Sequence, residues 1–396
     1  MLLGVVLHSA CCYVTFDDAW FLKDSQTSQV MDAITHFLHT FRLPAFFVMA
    51  GFFAALLREK RGTWGFLENR MMRLGLPFML GMLVLYPVLK TLGVWGYFAF
   101  RHPDPHPIAR TLGWLAEGQL SKSMEPIHLW FLPVLMWTSL AAAALAPRLD
   151  RLRADWFRRL LIGRRCLPVM TLVTALTLLT MDRGILETPH SFEPILKIQL
   201  FYAVFFVFGW GMYRNRELLP ALERHGWGKV ALAPLVTIGS LICVLSRWSA
   251  PAALLNALIC WLMILGLMGL FLRYASQPSA RVRYLSDSAY WLYLVHPLVL
   301  VAVQIPMLYL AWGIAVKFVL GIVVAVPILL WSYSRLVRGT WIGVMLNGKR
   351  MSGRDGDHVL TRHDVVDVPR QRHAVHNVQL PFLPAPQVAQ PEVDQG

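Results

Sequence analysis

His36, His39 and Arg42 lie three residues apart within HFLHTFRLPAFFVMAGFF, His36 to Phe53, a stretch otherwise apolar enough to sit in lipid. That spacing places all three broadly on one face of a helix. An ionisable side chain at the bilayer centre costs at least about 2.5 kcal/mol, so each one asks for a reason. Arg42 alone could snorkel toward the headgroups, but two histidines beside it favour a water-filled polar cavity.

Three more groups share this character. His8, in LLGVVLHSACC, carries an imidazole that can take and return a proton near neutral pH, as a general base must. A neutral histidine bonded to a neighbouring helix would look the same in sequence. In EPIHLWFLPVLMW, Glu125 and His128 are one turn apart at the mouth of an apolar run, where they could share a proton or hold an acceptor hydroxyl. Trp130 fits that mouth or an interfacial aromatic belt. In SDSAYWLYLVHPLVL, His296 follows Asp287 by nine residues, roughly 13 Å at the helical rise, which puts it near mid-membrane. Pro297 should loosen the backbone there, and polar groups beside such a break tend to line a cavity. At the other side, ENRMMRLGLPF sets Arg70 and Arg73 at the entrance of an apolar run. Ordinary positive-inside charge accounts for most such arginines, yet a pair one turn apart also matches phosphate oxygens.

These residues need a scaffold embedded in lipid, and the composition supplies one. Hydrophobic residues make up 56% of the 396 and charged residues only 15%, against about a quarter in ordinary soluble proteins. The chain reads as an all-α, polytopic transmembrane bundle of about ten helices. Its apolar windows run over about 1–14, 34–57, 74–92, 127–147, 166–181, 195–213, 229–247, 251–272, 287–309 and 313–334. The first, MLLGVVLHSACCYV, lacks the basic n-region of a signal peptide and reads as a membrane helix that has lost its beginning. Lys and Arg collect in 58–73, 148–165, 214–229, 273–283 and 335–396, which hold 27 of the 37. These are alternate loops plus the C-terminal segment, so both termini are expected in the cytoplasm. Topology thereby accounts for the net charge of +14. The lipid bilayer is an expected partner, and nucleic acid, which needs basic residues clustered on a soluble face, is not.

The membrane domain is expected over 1–338, followed by a polar, disordered cytoplasmic tail over 339–396. In that tail His358, His363, His373 and His376 read as solvated. FRHPDPHPIAR, Phe100 to Arg110, is punctuated by prolines, which argues against helix and makes it a candidate lid or acceptor-binding segment. Cys11, Cys12, Cys166, Cys243 and Cys260 lie in or beside apolar runs without CxxC or metal-type spacing, so neither disulfide nor metal is expected. A phosphate loop, a GxSxG elbow, an HExxH pair and a Rossmann glycine pattern are all missing from the sequence.

HTFRLPAFFVMAGFF, RMMRLGLPF, HLWFLPVLMW and SAYWLYLVHPLVL, in that order between Met1 and about Arg338, resemble the acyltransferase 3 family of integral membrane acyltransferases. Within it they are similar to the branch concerned with glucan biosynthesis. The resemblance implies transfer of an acyl group, succinyl or acetyl, from cytoplasmic acyl-CoA to a hydroxyl of an extracytoplasmic glycan, in the bacterial inner membrane. It implies His8 as the catalytic base with His296 in the penultimate helix, and Arg70 with Arg73 as the acyl-CoA site. His36, His39, Arg42, Glu125, His128 and Trp130 would then serve the acceptor or the oxyanion. Acyl-CoA is a co-substrate on this reading, no cofactor is tightly bound, and other glucan biosynthesis proteins are candidate partners.

Two departures from the family pattern stand out. The pattern places an arginine eleven residues before the first-helix histidine, whereas this sequence opens seven residues before His8. Ala50 and Gly51 stand where many relatives have a serine, so that serine has no part in the mechanism. Two rival readings remain. A proton-coupled secondary transporter would use the same histidines as a relay, though no internal repeat is visible. Another kind of membrane O-acyltransferase would pair its histidine helix with an asparagine, and the asparagines here lie mainly outside the apolar windows.

Overall fold

The computed structural model describes residues 1–16, 20–153, 155–163, 165–223 and 225–347. Its main helices are α1 (Leu2–Cys11), α2 (Gln29–Arg70), α3 (Leu76–Gly96), α4 (Pro107–Ala116), α5 (Phe131–Ala144) and α6 (Cys166–Leu178). They continue with α7 (Leu196–Arg214), α8 (Gly226–Leu245), α9 (Ser249–Tyr274), α10 (Ala280–Leu308), α11 (Ile314–Ser332) and α12 (Trp341–Asn347). No strand occurs among the described residues. Seven helical runs among them are long and apolar enough to cross a membrane, while α1 and α6 are shorter apolar helices. The chain is a multi-pass transmembrane helix bundle.

Each apolar window falls on a helix, and two of them share the run Gln29–Arg101. Those 73 residues would extend about 110 Å as one straight helix, several times the hydrocarbon thickness. The run breaks at Gly62, where φ is +69°, a left-handed conformation that glycine adopts at no steric cost. A Cβ there would meet nothing within 4 Å, so conformation rather than crowding calls for glycine. Serine caps start the two helices that carry half of the candidate residues. Ser28 accepts from the Val30 N–H at the head of α2, and Ser279 from the Val282 N–H at the head of α10.

The proline-rich segment corrects an expectation. Tyr97–Arg101 forms a π turn continuing α3, and α4 begins at Pro107, so only 102–106 of Phe100 to Arg110 is non-helical. Proline at a first helical position gives up an N–H that would have no partner anyway, and its fixed φ already suits the helix.

Helix α2 is the hub, packing on α1, α5, α7 and α9. Lipid tails are as apolar as leucine, so helices in a membrane associate through close packing and small residues. At the α2–α7 seam, a Cβ on Gly51 would stand 2.0 Å from the Phe206 carbonyl oxygen, and one on Gly209 would stand 1.9 Å from that of Val48. Phe47 stacks on Tyr202 at 4.2 Å and Phe205 on Trp261 at 5.0 Å to fill the space around it. Just before the Gly62 break in α2, Arg58 pairs with Asp150 at 2.6 Å, and Arg214 binds both Asp150 and Glu59. Burial opposes ionisation of the Asp150 carboxyl, but hydrogen bonds from Arg214 and Arg58 outweigh it and hold its pKa below the usual carboxylate value.

Helix α12 lies past the expected domain edge at 338 and packs on α10 and on the π turns Met71–Gly75 and Tyr333–Val337, with Leu346 buried. The expected tail from 348 onward, with its four histidines, lies outside the described residues. The five cysteines are buried and form no disulfide.

Candidate functional site

A cavity of about 1140 Å³ lies at the end of the bundle where α2 begins and α3 and α8 finish. This end is opposite the Arg58–Asp150–Arg214 cluster. His36, His39 and Arg42 line it from successive turns of α2, so the one-face reading of their spacing is matched by their placement. His8 enters it from α1, His296 from α10, and Glu125, His128 and Trp130 from the segment leading into α5. Arg70 and Arg73 are not among its lining residues.

His296 shows how sequence sets the chemistry of a side chain. Pro297 has no N–H, so the Tyr293 carbonyl four residues before it loses its helical donor. The His296 Nδ1–H takes that place, lying 2.9 Å from the Tyr293 carbonyl and 2.9 Å from that of Leu292. Two acceptors at Nδ1 fix the proton there and leave Nε2 as a lone pair, buried and without a partner among the described residues. The His8 ring sits 5.1 Å from that of His296, and its Nδ1 is likewise buried and unpartnered. His128 donates from Nε2 to the Leu294 carbonyl at 3.0 Å, and its ring lies 5.9 Å from His296. Just before it, the β-branched Ile127 holds φ at +42°, a conformation costing of order 1–3 kcal/mol that is characteristic of sites where geometry must be exact enough to act.

Arg42 reaches the same point. A Cβ on Gly4, one turn before His8, would stand 2.9 Å from Arg42 Nη1 and 3.9 Å from His296 Nε2. Gly4 is therefore the space through which the guanidinium approaches the paired imidazoles. Arg42 Nε is buried and unpartnered, and no carboxylate neutralises the guanidinium among the described residues. Unpartnered polar atoms of three imidazoles, His8 Nδ1, His128 Nδ1 and His296 Nε2, and one guanidinium are thus gathered in the lining of the cavity among the described residues.

The other candidates hold the walls. His36 bonds Asn256 at 3.0 Å and Ser240 at 3.2 Å, and Asn256 donates on to the Gly184 carbonyl, so this histidine ties α2 to α8, α9 and the loop before α7. His39 donates from Nε2 to the Leu186 carbonyl at 3.2 Å. Glu125 pairs with Lys90 at 2.6 Å and approaches His190 at 3.6 Å, which corrects the expectation that it shares a proton with His128. Trp130 is buried beside Tyr202, not in an outward-facing belt.

The arginine pair sits toward the opposite end. Arg73 donates from Nε and Nη2 to the Leu346 carbonyl at 3.2 and 2.8 Å, so it anchors α12. The Arg70 guanidinium lies over the Phe66 ring at 5.2 Å, and its Nε is buried and has no hydrogen-bond partner among the described residues. The Tyr290 hydroxyl donates to the Arg73 carbonyl, and Tyr290 precedes His296 by six residues, about 9 Å along α10. From there the rings of Tyr290, Tyr293, His128, His296 and His8 follow one another at 6.2, 6.0, 5.9 and 5.1 Å.

Three polar residues in apolar windows went unmarked beside the histidines although their sequence signal was as plain: Lys317 in AVKFVL, Asn256 in LLNALI and Gln304 in VAVQIP. Lys317 pairs with Asp24 at 2.7 Å with both side chains 1% exposed. Asn256 supplies the histidine–asparagine contact that seemed missing, in a bracing role. Gln304 holds Trp20.

The family described as an acyltransferase domain matches residues 1–333. Glucans biosynthesis protein C of Shigella dysenteriae serotype 1 (strain Sd197) is 25% identical over 385 residues, covering 91% of this chain and 95% of the relative. The protein of the same name from Escherichia coli (strain K12) is 24% identical over 383 residues with the same coverage. No solved structure matches.

Proposed function

This chain belongs to the acyltransferase domain family and is a membrane acyltransferase, and from there we propose that it moves an acyl group from cytoplasmic acyl-CoA to a hydroxyl of an extracytoplasmic glycan. One observation carries this reading: His8, His296 and Arg42 converge with unpartnered polar atoms at a cavity lying at the opposite end of the bundle from Arg70 and Arg73. The arginine-rich loops flank the end with the arginine pair, which favours a cytoplasmic face there, cytoplasmic termini, and the bacterial inner membrane as the location.

In the proposed reaction the acyl-CoA head group lies against Arg70 and Arg73, and its thioester reaches along the Tyr290–Tyr293 face toward His296. His8 takes the proton of the acceptor hydroxyl, and His296, held as an acceptor through Nε2, can receive it in relay. The hydroxyl oxygen attacks the thioester carbonyl, and the negative charge that develops on the carbonyl oxygen falls to Arg42. His39 and His128 were equal candidates for that role by residue type, but their Nε2–H groups already serve the Leu186 and Leu294 carbonyls. Collapse breaks the C–S bond, the CoA thiolate takes the proton, and the products are an O-acyl glycan and free CoA. The cavity volume exceeds that of most drug-sized pockets, enough for a sugar unit together with an acyl arm.

Succinyl on a periplasmic glucan is the pairing favoured by the likeness to glucans biosynthesis protein C, with acetyl as the next. Mass spectrometry of periplasmic glucans and surface polysaccharides from wild-type and deletion cells tests it. Loss of one ester mass on deletion supports acyl transfer and identifies the group, while an unchanged ester profile removes the glycan acceptor.

A further inference from the structure

Between α1 and α2 the described residues are 12–16 and 20–28; Thr15, Phe16, Trp20 and Phe21 line the cavity, and the second stretch, a strap along its wall, is fixed at several points. The buried Lys317–Asp24 pair holds it to α11, the Asp24 N–H donates to the Cys12 carbonyl, and the Ser28 N–H donates to that of Tyr13. Trp20 leads this strap and is buried. Its indole stacks on the His8 imidazole, with ring centroids 4.8 Å apart and planes 27° from parallel.

Trp20 is itself held. Its Nε1–H donates to Gln304 Oε1 at 3.0 Å, and Gln304 Nε2 donates in turn to the carbonyl of Ser9, the residue after His8. The circuit from His8 to Trp20 to Gln304 and back to Ser9 closes within one turn of α1. Because His8 Nδ1 has no hydrogen-bond partner among the described residues, no polar contact at that atom sets the ring plane. Stacking on the indole face sets it instead, and it does so while leaving Nδ1 unpartnered at the ring edge among the described residues.

We propose that Trp20 is a positioning residue for His8, held in register by Gln304, so that the base presents its edge to the acceptor hydroxyl; this rests on the acyl-transfer reading above. A side chain that misplaces a reacting group by about 1 Å can cost on the order of 10²-fold in rate without touching the substrate. An indole that only filled space would tolerate loss of its N–H partner.

The test uses the full chain purified in lipid nanodiscs, as wild type, Trp20→Ala, Trp20→Phe and Gln304→Leu. Carbethoxylation of His8 by diethyl pyrocarbonate is quantified by peptide mass spectrometry, and acyl-transfer rates are measured on the same samples. Trp20→Ala is expected to raise His8 labelling several-fold and to lower kcat by about 10²-fold, with KM within about twofold. Trp20→Phe, which keeps a stacking face, should restore most of both, and Gln304→Leu should fall between. Unchanged His8 labelling and kcat in Trp20→Ala would overturn the proposal while leaving acyl transfer intact. If the wild type transfers nothing, the acyl-transfer reading fails, and the labelling alone decides whether Trp20 positions His8.

Discussion

Helix α2 shows two opposite designs on its two sides. Against α7 it forms a seam in which Gly51 and Gly209 bring backbones into contact, and two turns further along every charge of Arg58, Asp150, Arg214 and Glu59 is met by another. Against α1 and α10 it leaves Arg42 beside the imidazoles of His8 and His296, whose Nδ1 and Nε2 are buried without partners among the described residues, and one glycine, Gly4, keeping the space open. Both sides use glycine and arginine, so residue type does not separate scaffold from site. Pairing does: a satisfied buried charge braces, whereas an unsatisfied one in a cavity is held ready for something that arrives.

The sharpest break in that comparison is at the seam. Gly209→Leu drives a side chain into the Val48 carbonyl, which is backbone and cannot step aside, and should destabilise the bundle by more than about 3 kcal/mol. Loss of the monodisperse peak in detergent gel filtration would register it, and a normally folded variant would show that the two backbones are not in close contact. Next in size is Asp150→Ala, which takes the carboxylate from Arg58 and leaves Arg214 only Glu59, and should cost about 1 kcal/mol in thermal stability while leaving kcat unchanged. Because the folded pKa of Asp150 lies below its unfolded value of about 3.9, its contribution is complete at neutral pH and disappears only as pH falls through the folded value. A melting temperature of wild type that drops below about pH 4, with a smaller drop in Asp150→Ala, checks the sign.

Gly4→Ala is the subtlest. Its Cβ crowds the far end of Arg42, which can swing away, and meets His296 Nε2 at an ordinary contact distance of 3.9 Å, so stability should hold within about 0.5 kcal/mol. The displaced guanidinium should cost about tenfold in kcat. Melting and rate measured on one preparation separate the two, and equal loss of both would place Gly4 in the scaffold.

Hydropathy made the helical, membrane-spanning class legible because crossing lipid demands long apolar runs whatever their partners; of the ten windows expected, those over α1 and α6 fall on helices shorter than the seven runs long and apolar enough to cross. The break at Gly62 and the start of α4 at Pro107 depend on single backbone angles and were less visible. The histidines stood out because an imidazole is costly in an apolar run. What they touch was hidden: Glu125 has a carbon copy of the right spacing to His128, yet Lys90 reaches it from α3. Asp24 and Lys317 are 293 residues apart, a separation at which sequence spacing carries no information. Trp20 was invisible as a site residue because stacking leaves no pattern along the chain.

Acceptor-dependent release of CoA thiol from acyl-CoA, measured for purified wild type, His8→Ala and Arg42→Met that melt at the same temperature, tests the central claim most directly. The account predicts a loss of at least about 10²-fold in kcat for each variant, one for want of a base and the other for want of the oxyanion donor. Wild-type rates in both would contradict it and remove the cavity from the chemistry.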